Sequence, residues 1–493
     1  MTDKTRLGFS ILAAALAAGA LGDGLLRATP WGVNLFVWIA ALAALAAGVL
    51  ILNRVDLDAG SRRLVIPLLF FAVAMAWRDS PVLKALSLIG IVITLSMILM
   101  RSRAGKLLAA GVTDYALGVL ISLYDALTGA GRLIGGEIEW KEIPRDGWAK
   151  HLAPVAKGLA IALPLLLIFG GLLASADAFF SDLILRLFNW DVESIVVHCM
   201  VTAIIAWAVA GFLRGVVTGK ELKAVNANRP EFLWLGVTET VIILGLLDVL
   251  FLSFVVVQFR YFFGGAARIQ AVAGLTYAEY ARSGFFELVG VAALVLPLLL
   301  AAHWLLRKEK ARDERVFRIL AGTQIALLFV MMVSALQRMR LYQREYGLTE
   351  LRIYTTVFME WLAAVFIWFA MTVLRGRRER FTFGAVVAGF LAIGALLAVN
   401  PDRLIARVNV EHAIAGRNFD AAYAASLSAD AVPELISSLP RLNRSQRCAL
   451  ASQILYTRPI AGSPGWRRWN WSRAEAARAM AAGEQELRGS ACQ

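Results

Sequence analysis

From the N-terminus onward the chain alternates long apolar runs with short charged ones. A helix needs about 20 apolar residues to cross roughly 30 Å of hydrocarbon, so each run of that length bounded by charge is an expected crossing. About eleven are expected: 7–25, 31–52, 64–77, 81–100, 153–174, 194–213, 232–259, 284–306, 316–336, 354–374 and 381–399. The first has a basic start and many small residues, as a secretory leader does. Its apolar pattern continues past Asp23 into Leu25 and Leu26, which favours an uncleaved anchor. Residues 107–133 are apolar but broken by Asp114, Tyr115, Tyr124, Asp125 and Arg132, and are expected to lie on or under the bilayer rather than across it.

Between two expected crossings lies a polar run, 334–354, SALQRMRLYQREYGLTELRIY. If the preceding helix continues into it, Arg338, Tyr342 and Tyr346 share one face, and Arg340 and Arg344 a second. Gly347 is expected to close that helix, because a residue tolerant of positive φ ends the last turn most cheaply. Thr349 is then the expected cap of the next helix, with Glu350 at its positive end. Two readings stand side by side: a surface turn with tyrosines in the interface and arginines, Arg352 included, on lipid phosphates, and a binding or coupling site.

After residue 400 the character changes. The segment 400–493 has no Lys, many Arg and Ala, and helical runs broken by Pro433, Pro440, Pro459 and Pro464. Ser472 followed by Glu475 has the spacing of a capping box, so a helix is expected from there through about Glu486. Trp466, Trp469 and Trp471 precede it, to pack a small helical domain or to rest on the membrane interface. Nothing reads as strand. The expected fold is all-α, a polytopic transmembrane helical bundle with a small helical C-terminal tail. Its parts are 1–106 (four membrane helices), 107–152 (interfacial helix and cytoplasmic loop), 153–399 (transmembrane core) and 400–493 (polar tail).

Composition agrees: 59% of the residues are hydrophobic and 17% charged, against about 45–50% and 25% in soluble proteins. The net charge of +14 lies in short basic clusters between apolar runs, which is how topology signals are distributed, so no nucleic acid is implied. With the N-terminus cytoplasmic, about 22 basic residues face inward and about 11 outward, and eleven crossings place the tail outside. The bilayer is the expected partner, and the tail offers a surface to a protein partner. Cys199 lies in an apolar run and is expected in the core; Cys448 and Cys492 can pair if the tail meets an oxidising compartment. The histidines are scattered, and no metal, cofactor or catalytic motif is found.

The candidate chemistry is therefore polar residues where charge is expensive. Asp248 is central in its crossing, where an ionised carboxylate costs about 2.5–3.5 kcal/mol. Glu239 lies nine residues earlier, on the opposite face, which would place this helix inside the bundle. Gln324 is the nearest partner of Asp248 by depth, as a structural clasp; the alternative is a proton-binding carboxylate. Gln258, Glu360 and Glu287 join the list, Glu287 with Arg282 or Arg338 as expected partners. Arg338, Arg340, Tyr342, Arg344, Glu279 and Glu287 would form the cluster of a membrane enzyme.

Several phrases occur as a set: LLASADAFF at 172–180, LFLSFVVVQFRYFFGG at 250–265, LTYAEYARSGFFEL at 275–288, YGLTELR, NPDRLIARVNVEHA and WRRWNWSRAEAA. Over roughly 153–477 the chain resembles a family of bacterial multi-pass membrane proteins known as domain of unknown function 4173, close to 4153. The resemblance implies a bacterial inner-membrane helical bundle with a polar tail, and no activity. Three functions are open: a non-enzymatic binding, sensing or scaffold protein; a proton-coupled transporter or channel using Asp248, Glu239 and Glu360; and a lipid-modifying enzyme.

Overall fold

The structure is a computed structural model describing residues 2–56, 58–104, 112–142, 192–218, 234–262, 285–307, 310–458 and 465–492, with scattered positions between 154 and 177. Most of the expected crossing at 153–174 lies outside the described residues, as do Glu279 and Arg282.

Eleven helical spans among the described residues are long and apolar enough to cross a membrane. They are built from α1 (Asp3–Leu26), α2 (Val33–Leu52), α3 with α4 (Ala59–Arg63 and Val65–Trp77), α5 (Pro81–Ala104), α6 (Val112–Arg132), α7 (Val192–Thr218), α8 (Val237–Phe262), α9 (Phe285–Leu305), α10 (Ala311–Tyr346), α11 (Glu350–Thr372) and α12 (Phe381–Val399). Ten of them occupy expected crossings. The short run at 64–77 gains length from α3, giving a span over Ala59–Trp77. The eleventh, Leu117–Glu137, falls on the segment expected to be interfacial; it meets the length and hydropathy of a span. The tail adds α13 (Pro401–Ile414), α14 (Ala421–Ser426), α15 (Val432–Ser438), α16 (Arg444–Thr457), α17 (Trp471–Ala482) and α18 (Glu484–Ser490).

The chain divides into two compact units, one of residues 1–29, 37–65 and 119–220, the other of 30–36, 66–118 and 221–493. In the first, α1 packs against α7 through small residues. A side chain at Gly19 would strike the Thr202 carbonyl, and one at Gly22 would strike Ile205. Close backbone approach is how helices gain packing energy in lipid. Asp23 bonds His198, which also meets Arg27. Cys199, expected in the core, is exposed, because the packed face of α7 is the one carrying Ala206, Val209, Ala210 and Leu213.

In the second unit α10 is the central helix, packed against α8, α9 and α11. Its 36 residues are about 54 Å long, well beyond the hydrocarbon thickness of roughly 30 Å. The tail is not a separate globule: Leu435, Leu450 and Leu487 share one apolar core with Leu83 of α5, Ile353 of α11 and Leu397 of α12. The two tail cysteines are joined, Cys448 to Cys492, which ties α16 to the C-terminus. Protein denatured without reductant should therefore expose one reactive thiol, Cys199, and three after reduction, counted by mass after alkylation. Three thiols before reduction would mean that the tail meets a reducing compartment.

Candidate functional site

Only one face of α8 is buried: Leu244, Asp248, Phe251, Val255 and Gln258 recur at alternating steps of four and three, one stripe of a helix. Its other faces, Leu246, Val249 and Leu250 among them, are exposed. Glu239 is exposed too, in the first turn, where the helix dipole favours an anion. This corrects the expectation of a helix buried on opposite faces: Glu239 sits at the helix end and needs no neighbouring helix.

The buried stripe packs on α10. Leu235 pairs its backbone with Leu305 and Arg307, at the end of α9. The start of α8 therefore lies beside the end of α9, close to where α10 begins, and α8 and α10 run in the same direction. At about 1.5 Å per residue, Asp248 is about 17 Å into α8 and Gln324 about 20 Å into α10, while Gln258 and Ser334 are about 32 and 35 Å in. Two polar tiers result, a carboxyl level with an amide and an amide level with a hydroxyl.

Asp248, Gln258, Gln324 and Ser334 are 8%, 5%, 0% and 2% exposed. Among the described residues, neither carboxyl oxygen of Asp248, no amide atom of either glutamine and not the Ser334 hydroxyl has a hydrogen-bond partner. The expected Asp248–Gln324 clasp is not made, since equal depth on two helices does not turn their side chains toward each other. A buried amide or hydroxyl left unbonded costs about 1–3 kcal/mol, so this seam is expensive as it stands.

The other carboxylates are not gathered with it. Glu287 is exposed in the first turn of α9, and Glu360 is exposed midway along α11. The single path through Asp248, Glu239 and Glu360 is thus not assembled.

At the 334–354 turn Gly347 ends α10 with φ at 73°, as expected. Thr349 makes no side-chain cap. The tail does that work: the Glu350 N–H donates to the Tyr423 hydroxyl at 2.9 Å, and the Asn409 amide makes two bonds to the Leu348 backbone, at 2.7 and 2.9 Å. A side chain at Gly347 would strike Asn409. The Arg352 guanidinium lies 4.0 Å over the Tyr342 ring and donates to the Gly347 carbonyl at 2.6 Å. Arg338 is half-buried, and Arg340, Arg344 and Tyr346 are exposed. Arg352 and Tyr342 thus close the turn; of the cluster expected for an enzyme, Glu279 lies outside the described residues.

A second polar cluster, at the α4–α5 turn, was missed in the sequence. Asp430 accepts from the N–H groups of Asp79 and Ser80 at 2.7 and 3.0 Å, lies 2.6 Å from the Ser472 hydroxyl, and pairs with Arg78 at 3.5 Å. Burial lowers the Arg78 pKa, and Asp430 opposes that shift. The Asn470 amide donates to the Met75 and Arg78 carbonyls, and Ser472 lies 2.9 Å from that of Trp77. Ser472 is therefore committed to α4, and Asn470 caps α17 in its place by accepting from the Arg473 N–H. Nearby, Asp402 is fully buried; one carboxyl oxygen accepts from the Ser428 N–H and the other has no partner among the described residues. Burial pushes its pKa up to about 6, with Glu350 and Asp430 adding to the rise and Ser428 opposing it.

Two outcomes follow. Asp430→Ala removes the ion pair of Arg78 and strands two backbone donors, so it should cost about 3–5 kcal/mol and open the tail to limited proteolysis; an unchanged cleavage pattern would refute the anchoring role. Asp402, with a folded value near 6 and an unfolded one near 3.9, stabilises the protein fully below about pH 4, and that contribution is lost as the pH rises through about 6. Asp402→Asn should accordingly raise the melting temperature at pH 7.5, by up to about 3 kcal/mol of stability, and change it much less at pH 4.5.

No curated protein and no solved structure matches the chain. A family match covers residues 65–438, from the start of α4 to the end of α15. It is to the family numbered 4153, the neighbour of the one the motifs resembled, and it begins earlier than the expected 153. Over three quarters of its length, then, this multi-pass membrane chain belongs to the family described as a domain of unknown function, DUF4153.

Proposed function

We propose that the protein is a non-enzymatic, proton-coupled membrane protein in which Asp248 is the proton-binding carboxyl and the α8–α10 seam is the path of a proton or small polar solute. The observation that carries this reading is the seam itself: four buried polar side chains at two matched depths, none with a hydrogen-bond partner among the described residues. Polar groups buried in a bilayer without structural partners are functional candidates by default. Carboxyl, amide and hydroxyl groups together serve a proton, a water or a small polar solute equally well.

A second reading, a binding or sensing surface on the tail, is favoured by the Asn409 and Tyr423 contacts. They fix the tail to the end of α10, and α10 carries half of the seam. The two readings are compatible, with the tail biasing one long helix. Of the cluster expected for an enzyme, Tyr342 is engaged with Arg352 in the turn, so in this proposal it has a structural part.

In this proposal the protein lies in a bacterial inner membrane with its N-terminus cytoplasmic and its tail periplasmic. The basic bias of the connecting segments and the Cys448–Cys492 bond support that orientation. Residues 117–137 then lie along the surface, against the second half of α7, where Trp207 meets Leu127, Gly211 meets Gly129 and Arg214 meets Glu137.

In proteoliposomes carrying a pH-sensitive dye, Asp248→Asn should abolish proton uptake driven by an imposed gradient while leaving the melting temperature within a few degrees. Uptake at the wild-type rate in that variant would remove Asp248 from the mechanism.

A further inference from the structure

The tail segment Trp466 to Trp471 presents an unusual combination. Trp466, Trp469 and Trp471 are 62%, 41% and 49% exposed, while Asn470 between them is 1% exposed and Ser472 just after is 2%. None of the three rings belongs to the tail core, so the expectation that they pack a small helical domain is not met.

Their depth is fixed by the backbone. The Trp469 carbonyl accepts from the N–H of Val33, the first residue of α2, at 2.8 Å. Gly32 permits this approach, since a side chain there would strike the same carbonyl. Asn470 and Ser472 bind carbonyls at the end of α4. Arg473 bonds Asp79, in the α4–α5 turn, at 2.8 Å. The segment is held where one membrane helix begins and another ends, and helix ends mark the edge of the hydrocarbon.

Indole rings prefer that level, with an apolar body and one polar N–H. Arg467 and Arg468 are exposed in the same short turn, and neither makes an ion pair among the described residues. We propose that Trp466, Arg467, Arg468, Trp469 and Trp471 form a ledge that binds the headgroups of anionic phospholipids on the membrane face carrying the tail. The rings enter the interface beside the acyl chains, and the two guanidiniums take the phosphates, which match their planar donor geometry.

The test uses full-length protein in detergent, titrated with phosphatidylglycerol or phosphatidylcholine and read by native mass spectrometry. Arg467→Gln with Arg468→Gln should weaken phosphatidylglycerol binding roughly tenfold and leave phosphatidylcholine binding unchanged. Arg478→Gln, an exposed arginine on α17, should change neither. Unchanged phosphatidylglycerol affinity in the double variant would overturn the proposal. So would equal competition by inorganic phosphate, which would indicate a free-anion site. A photoreactive residue placed at Trp466 in native membranes should capture phospholipid; capture of a polypeptide instead would make the ledge a protein interface and overturn the lipid assignment.

Discussion

A helix that ends near a membrane leaves backbone donors and acceptors unbonded where water is scarce, and the second unit is organised around meeting that demand. At the α4–α5 turn the carbonyls are met by Asn470 and Ser472 and the N–H groups by Asp430. At the α10–α11 turn Asn409 and Tyr423 do the same. Each bond is worth about 1 kcal/mol net, but each buried group left unbonded would cost more. That asymmetry explains why a polar tail forms one core with membrane helices instead of hanging from the last of them.

The bonded helix ends and the unbonded seam are physical opposites within one unit. Around Asp430 nearly every donor and acceptor is used, and such a network specifies one arrangement. Along α8 and α10 the polar groups of Asp248, Gln258, Gln324 and Ser334 remain unused. A scaffold would gain stability by replacing them with Leu or Ala, which supports a role for the seam in binding. The same helix, α10, carries half of the seam and is held at its far end by the tail.

Asp402 adds a pH-sensitive element to that anchorage. It begins α13 within the tail core, and its neighbours Glu350, from the α10–α11 turn, and Asp430, from the α4–α5 cluster, both disfavour its charge. The two anchored turns therefore meet electrostatically at one carboxyl.

Local chemistry was legible where it depends only on neighbours in sequence. Gly347 was readable as the end of α10, because positive φ favours glycine, and the apolar runs located ten spans, because about 20 apolar residues in a row have one stable place. Asp248 and Gln324 were identified as neighbours in depth from counting alone. Their failure to bond was not legible, since helix rotation is set by packing. Thr349 and Ser472 were assigned caps they do not make, because Tyr423 reaches Glu350 from far along the chain and Ser472 is drawn to Trp77 and Asp430. What the sequence determined by itself is the helical class, the chemistry and the place of ten spans, all consequences of periodicity and transfer energy. Only the tertiary structure decided which distant side chain meets each helix end and which buried polar groups are left without a partner, because those depend on the azimuth and approach of helices far apart in the chain.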